Sequence, residues 1–263
     1  MYESYRTIRT ARRGRILTLT LDRPEVKNAA DATMHDELSR IFQDVARDDG
    51  CDVVVLTGAG DAFSAGGDIV GMQKKIEDRA LWVKTVEEGR RIFYGMLDLE
   101  KPVIARVNGA ATGLGATLVV YSDISVAVTG AKIGDPHVRV GLAAGDGGAL
   151  MWPLLVGFQR AKELLFLGDL IDAEEAQRIG LITHVVPPDQ LDDKVYGLAE
   201  RLAGGATRAI GWTKAAMNHT LRMLAAGTME AGFGYETLSQ LTADHAEAVA
   251  AFREKRKPRF TGR

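Results

Sequence analysis

Apolar and polar residues alternate along ILTLTL, positions 16–21, which predicts a half-buried strand. Pro24 just beyond it ends the run, because proline brings no N–H to a ladder. YRTIRTA alternates in the same way, so the two runs and the RRG between them predict an opening hairpin with its arginines toward solvent. A different period follows. Met34, Leu38, Ile41, Phe42 and Val45 recur at helical spacing, with Asp31 placed as the N-cap. CDVVVLTGAG is a nearly continuous β-branched run, as expected of a buried strand, and PVIARV (102–107) and ISVAV (124–128) read alike. Residues 71–100 are charged and helix-favouring, and GLGATLVVYSD reads as a further helix. This alternation predicts an α/β fold with at least partly parallel strands. From GDGGALMWPLLVG onward the periods are helical. AKELLFLGD, DAEEAQRIG and DDKVYGLAERLAGG are short amphipathic helices with glycine stops, and HVVPP is a brief extended piece. Residues 1–200 are thus expected to form an α/β core and 201–263 a helical C-terminal region rather than a second independent domain. No internal repeat and no low-complexity linker is visible.

Composition narrows the class. Hydrophobic residues make up 46% and charged residues 26% of the 263, ordinary for a globular enzyme with a substantial core. The net charge of −2 offers no bulk attraction to nucleic acid or to an anionic membrane. No apolar run approaches the roughly 18 residues of a membrane span. The lone Cys51 excludes an intramolecular disulfide framework and reads as a small filler beside a strand. The Arg-rich start could be taken for a transit peptide. The alternation on both sides of RRG favours the hairpin, and a cytoplasmic protein is expected.

Reactive residues gather around glycine. Two glycine-rich loops follow buried strands, GDAFSAGGD (60–68) and NGAATGLGA (108–116). Each could aim a backbone N–H at one ligand oxygen, and the second would open a helix whose N-terminus favours negative charge. That is the recipe for an oxyanion hole, although two tight strand-to-helix turns would look the same. GDPHVRVGLAAGDGG (134–148) sets His137 and Asp146 nine apart, with only Asp135 and Arg139 as competing reactive side chains. A dinucleotide reading of GAATGLG lacks the expected acidic residue after the next strand. A nucleophile elbow at Ser64 lacks its first glycine. His35, His184, His219 and His245 show no metal-ligand spacing, and no metal is expected. Trp82, Trp152 and Trp212 read as core or interface. Glu87 and Glu88 read as a solvated helix face, the alternative being acids that lean over the site.

Six stretches together resemble the crotonase superfamily of enoyl-CoA hydratases and isomerases. They are LDRPEVKNAAD (21–31), FSAGGDI (63–69), VNGAATGLGATLVVYSDI (107–124), GDPHVRVGLAAGDGG, AEEAQRIGLITHVV (173–186) and AFREKRKPRF (251–260). The resemblance implies a spiral of ββα units with a helical C-terminal region that serves assembly and site closure, and a trimer or dimer of trimers. It implies an acyl-CoA thioester as substrate and no separate cofactor. By position, the family's oxyanion N–H groups fall on Gly67 and Leu114, the second being a glycine in most members. Val26, Ala65, Asp68 and Ile69 would border the CoA adenine and pantetheine. Lys257 would reach a CoA phosphate, on a neighbouring subunit or its own, unless it is a solvated surface lysine.

The departure lies in the acid/base pair. Hydratases of this family carry glutamates where this chain has Thr117 and His137. A threonine cannot act as a base near neutrality, whereas an imidazole can. Asp146, near a helix start that would favour its ionised form, is expected to orient the imidazole and stabilise its charge. Alternatively, His137 is a loop histidine bonded to backbone and Asp146 a simple cap. The same His and Asp also resemble the oxocamphor hydrolase branch, which hydrolyses a carbon–carbon bond in β-diketones without CoA. That branch has a further histidine that NGAATGLGATL does not contain. The expected function is enolate-stabilising acyl-CoA chemistry of the hydratase/isomerase type. C–C hydrolysis of a β-diketone, or a CoA-binding chain without activity, are the alternatives.

Overall fold

The computed structural model describes residues 2–263. Its elements run β1 (Ile8–Arg13), β2 (Ile16–Leu21), α1 (Ala32–Ala46), β3 (Val53–Gly58), β4 (Ala62–Ser64), α2 (Ile69–Glu77), α3 (Arg79–Asp98), β5 (Val103–Val107), β6 (Ala110–Thr112) and α4 (Leu114–Tyr121). They continue with β7 (Ile124–Val128), β8 (Lys132–Gly134), α5 (Gly148–Val156), α6 (Phe158–Leu167), β9 (Ile171–Asp172), α7 (Ala173–Arg178), β10 (His184–Val186), α8 (Leu191–Ala203), α9 (Thr207–Gln240) and α10 (Ala243–Arg253).

The opening hairpin forms as the alternation predicts. β1 and β2 pair antiparallel from Ile8↔Leu21 to Arg13↔Ile16, turning through Gly14. Asp31 caps α1 by accepting from the Met34 N–H. Met34, Leu38, Ile41, Phe42 and Val45 are then buried along one face, each such side chain stabilising the fold by roughly 1.5–3 kcal/mol.

One sheet has the order β1-β2-β3-β5-β7-β10, parallel except for the first pair. A second has the order β4-β6-β8-β9, in which β4, β6 and β8 are parallel. Each of β3, β5 and β7 runs into its short partner β4, β6 or β8, and helical chain follows. Each turn advances one strand in both sheets, so the fold is a spiral of ββα units. The structural repeat leaves no trace as a sequence repeat, because each short strand of the second sheet lies in a glycine-rich or turn-like stretch too brief to alternate.

The C-terminal region is helical, as expected. Ala225, Met229 and Phe233 of α9 belong to the same core as the sheet residues Leu19, Leu56 and Val103. Trp152 is fully buried and Trp82 nearly so, while Trp212 is exposed. No helix among the described residues is long and apolar enough to cross a membrane.

Candidate active site

Parallel strands leave their carboxyl ends on one side, and in such sheets ligands gather there. The chain leaving β4, β6 and β8 converges on one cavity of about 500 Å³. Gly66 makes the first convergence possible. Its φ is +85°, and a Cβ there would lie 2.6 Å from the Thr112 carbonyl oxygen at the end of β6. Only glycine lets the two loops come this close. Gly67 and Leu114 follow on the two loops, and both line the cavity. Gly67 lies opposite Ala30, but the bonds of that bridge run from Ala30 N–H to Gly66 O and from Asp68 N–H to Ala30 O. Leu114 is the first residue of α4. Neither N–H has a protein acceptor among the described residues.

Asn28 holds the facing edge. It is fully buried with φ +57°, and its amide donates to the carbonyls of Ala59 at 2.8 Å and Ala62 at 3.0 Å. This ties the segment carrying Val26 and Ala30 to β4. Val26, Ala65, Asp68 and Ile69 line the same cavity as Gly67, Leu114, His137 and Asp146. Eight of the nine candidate residues therefore meet in one place. Lys257 is the ninth; it is exposed in the C-terminal tail and does not line its own chain's cavity.

His137 opens a short 3-10 turn directly after β8. Its ring lies between two carboxylates. Asp135 bonds Nδ1 and also accepts from the His137 backbone N–H at 3.3 Å. Nε2 faces Asp146 Oδ2 at 3.6 Å. The carboxylate that orients the imidazole is thus Asp135, not Asp146. The spacing misled because a residue two positions away, fully buried behind β8, reaches Nδ1 first. Asp146 instead stands on the opposite side of the ring, within 3.4 Å of the Thr117 hydroxyl.

Burial opposes the imidazolium, but the Asp135 and Asp146 carboxylates outweigh it and hold His137 well above the ordinary histidine range. Burial pushes the Asp146 carboxyl up to about 6, against the pull of His137 and helped by repulsion from Asp135. The ionised form that the nearby start of α5 was expected to favour is therefore the costlier one; the Gly148 N–H offsets only part of the desolvation. Asp135, His137 and Asp146 bring ligand atoms within 4.8 Å of one another, as a metal site would. Both ring nitrogens already face a carboxylate.

A family model described as enoyl-CoA hydratase/isomerase matches residues 11–263. The chain belongs to the enoyl-CoA hydratase/isomerase family, within the crotonase superfamily. It is 36% identical over 257 residues to the 1,2-epoxyphenylacetyl-CoA isomerase of Escherichia coli K12, covering 94% of this chain and 95% of that one. It is 34% identical over 258 residues to the crotonyl-CoA hydratase of Syntrophomonas wolfei, with 98% of each chain covered. The crystal structure of an enoyl-CoA hydratase/isomerase from Mycobacterium paratuberculosis superposes with a TM-score of 0.90 at 36% identity, over 93% of this chain and 97% of that one.

In this family member two further acids lie at or beside the cavity: Glu88, which the sequence reads first as solvated and otherwise as an acid over the site, and Glu236, which it does not single out. Glu88 is not a solvated residue: it is 3% exposed and bonds His35 Nδ1 at 2.7 Å. Burial raises the Glu88 carboxyl, but His35 and Lys84 outweigh it and hold it below the usual range. Burial pushes His35 down, so the neutral ring donates to Glu88 from one wall of the cavity. The pair joins α1 to α3 across 53 positions, beyond any local pattern. Glu87 stays on the exposed face. The second group is Glu236 of α9, 7% exposed and lining the cavity. Burial and repulsion from Asp146 push its carboxyl up to about 8. It had a readable signal: Ala225, Met229, Gly232, Phe233 and Gln240 fall on the same buried stripe, and a glutamate there is out of place.

Proposed function

We propose that this chain acts on an acyl-CoA thioester, stabilising its enolate and moving a proton, as hydratases and isomerases of its family do. The observation that carries the reading is the meeting of two unpartnered N–H groups, Gly67 and Leu114, with the His137–Asp146 pair in one cavity. The thioester oxygen accepts from both N–H groups as it gains enolate charge. Leu114 adds the positive end of α4. Each such donor contributes roughly 3–4 kcal/mol at a transition state of this kind. Leucine serves as well as glycine because the donor is backbone.

His137 and Asp146 act as one proton-transfer unit that replaces the absent glutamates, with Asp135 holding the ring. Thr117 occupies one glutamate position and contacts Asp146, so a carboxyl is delivered to that region from another loop. Val26, Ala65, Asp68 and Ile69 border the CoA, and CoA is substrate rather than a resident cofactor. Exposed apolar side chains on α6 and α9, Phe166, Trp212 and Leu238 among them, support self-assembly, which would bring Lys257 to a neighbour's CoA. The relatives' names, acyl-CoA isomerase and hydratase, favour this chemistry over hydrolysis of a β-diketone.

The test follows the conjugated chromophore of a short trans-2-enoyl thioester of CoA with wild type and His137→Ala, alongside melting with acetyl-CoA. Loss of absorbance with the wild type only supports hydration through His137. Loss with both removes His137 from the mechanism. No loss and no effect of acetyl-CoA on melting would end the acyl-CoA reading.

A further inference from the structure

The His137–Asp146 pair is one proton-handling group, but shifting a double bond along an acyl chain needs protons handled at two carbons. The cavity holds a second group. Glu236 projects from α9 into the cavity; the residue is 7% exposed, and its carboxyl makes no hydrogen bond to any described residue. The carboxyl is open to the cavity, where a bound molecule can reach it. Its position is built by close backbone packing. Gly145, next to Asp146, meets Gly232 on α9: a Cβ on Gly145 would lie 2.2 Å from the Gly232 carbonyl oxygen and 2.7 Å from the Glu236 Cβ. A Cβ on Gly232 would lie 2.7 Å from the Gly145 carbonyl oxygen. The two glycines let α9 dock directly on the loop that carries Asp146, one helical turn before Glu236. The groups acting on Glu236 are Asp135, His137 and Asp146 from that segment and Lys75 from α2. α3 presents Trp82, Thr85, Val86, Gly89 and Phe93 to the cavity, none of them charged, and α1 presents His35, which is paired with the buried Glu88 of α3.

We propose that Glu236 is a second catalytic acid of this site, delivering a proton to the acyl carbon that the His137–Asp146 pair does not serve. The assignment rests on the acyl-CoA reading above. With a β,γ-enoyl thioester, the His137–Asp146 unit breaks the α C–H bond and takes the proton. The electron pair delocalises into a dienolate held by the Gly67 and Leu114 N–H groups. The neutral Glu236 carboxyl then gives its proton to the γ carbon, forming the new C–H bond and the α,β double bond. The proton left on the His137–Asp146 unit returns to Glu236 before the next turnover, so nothing is oxidised or reduced. The second proton-handling group is thereby supplied from the C-terminal helix.

The experiment incubates wild type and Glu236→Gln with a short β,γ-enoyl thioester of CoA in D2O. NMR reads α-proton exchange, and ultraviolet absorbance reads formation of the conjugated isomer. The expected result is that Glu236→Gln keeps α-exchange within about threefold while isomer formation falls by about 100-fold or more, the range of a lost general acid. The alkaline limb of the wild-type pH profile should also disappear in the variant. Glu236→Asp, with an acid one methylene further back, should recover part of the isomerisation, which a packing role does not predict. Equal isomerisation rates and pH profiles in wild type and Glu236→Gln would overturn the proposal, as would equal loss of exchange and isomerisation. So would a wild type that exchanges the α proton without moving the double bond. If wild type shows no exchange and acetyl-CoA does not change its melting, the acyl-CoA reading itself fails.

Discussion

Glu236→Gln also makes a prediction about stability that needs no substrate. Burial and the neighbouring Asp146 raise the Glu236 carboxyl from the ordinary 4.5 to about 8 in the folded chain. In the unfolded chain it ionises freely above pH 4.5. Between those limits the folded state binds the extra proton, so stability falls as pH rises. At about 1.4 kcal/mol per pH unit, the loss is about 3 kcal/mol at pH 7 and about 5 kcal/mol above pH 8. Glutamine has the same shape and never ionises. Below pH 4.5 the two proteins should therefore be about equally stable, and the variant should gain steadily on the wild type as pH rises. For a chain of this size that is a melting advantage of about 6 °C at pH 7 and about 10 °C at pH 9. Calorimetry or circular dichroism at pH 5, 7 and 9 reads it directly. A difference that stays flat across those values, or a variant less stable at pH 9, would show that Glu236 is not held neutral and would refute the reasoning. The direction is informative too: an acid kept at this cost in stability is kept for use.

Other positions test the rest of the site. Asp135→Asn should lower the His137 titration measured by NMR, because the carboxylate on Nδ1 helps to hold the imidazolium; with it should go part of the stability that His137 contributes at acid pH and loses as pH rises through its raised value. An unchanged titration would assign the whole effect to Asp146. Gly66→Ala should cost about 2–3 kcal/mol from a positive φ and a clash with the Thr112 carbonyl, visible as a lower melting temperature. It should reduce thioester turnover more than acetyl-CoA binding, because it displaces the Gly67 N–H. Asn28→Ala should destabilise by about 1–3 kcal/mol in denaturant unfolding, since it removes the donor from the half-buried Ala59 carbonyl and one of two donors from that of Ala62, at a φ that alanine disfavours.

What the sequence makes legible follows from the range of the forces involved. Period and turn chemistry are local, so β1, β2, α1 and β3 are read correctly, down to Asp31 as the cap of α1. The short strands of the second sheet are not. Three residues such as Ala110–Thr112 hold their place by pairing with β4 and β8 across the spiral, not by any pattern of their own. The two glycine loops after buried strands are legible, but tight turns would look the same, and only the resemblance singles out Gly67 and Leu114 within them. The His137 partner was misread for the opposite reason. Asp146 stands out nine residues on in a glycine-rich segment, where Asp135 counts only as a competing reactive side chain. The fold reverses their roles by burying Asp135 behind β8, where it can only meet Nδ1. Glu88 and Glu236 mark the limit more sharply. Each is an acidic residue on a long helix, and what removes it from solvent is packing from elsewhere: α1 brings His35 to Glu88, and Gly145 admits α9 beside Asp146. For Glu236 one of the two small residues that permit the contact, Gly145, lies far away in sequence, while the other, Gly232, is close by. A glutamate on an otherwise apolar helical stripe, with a glycine four residues before it, is therefore the pattern to read as a buried acid rather than as a surface charge.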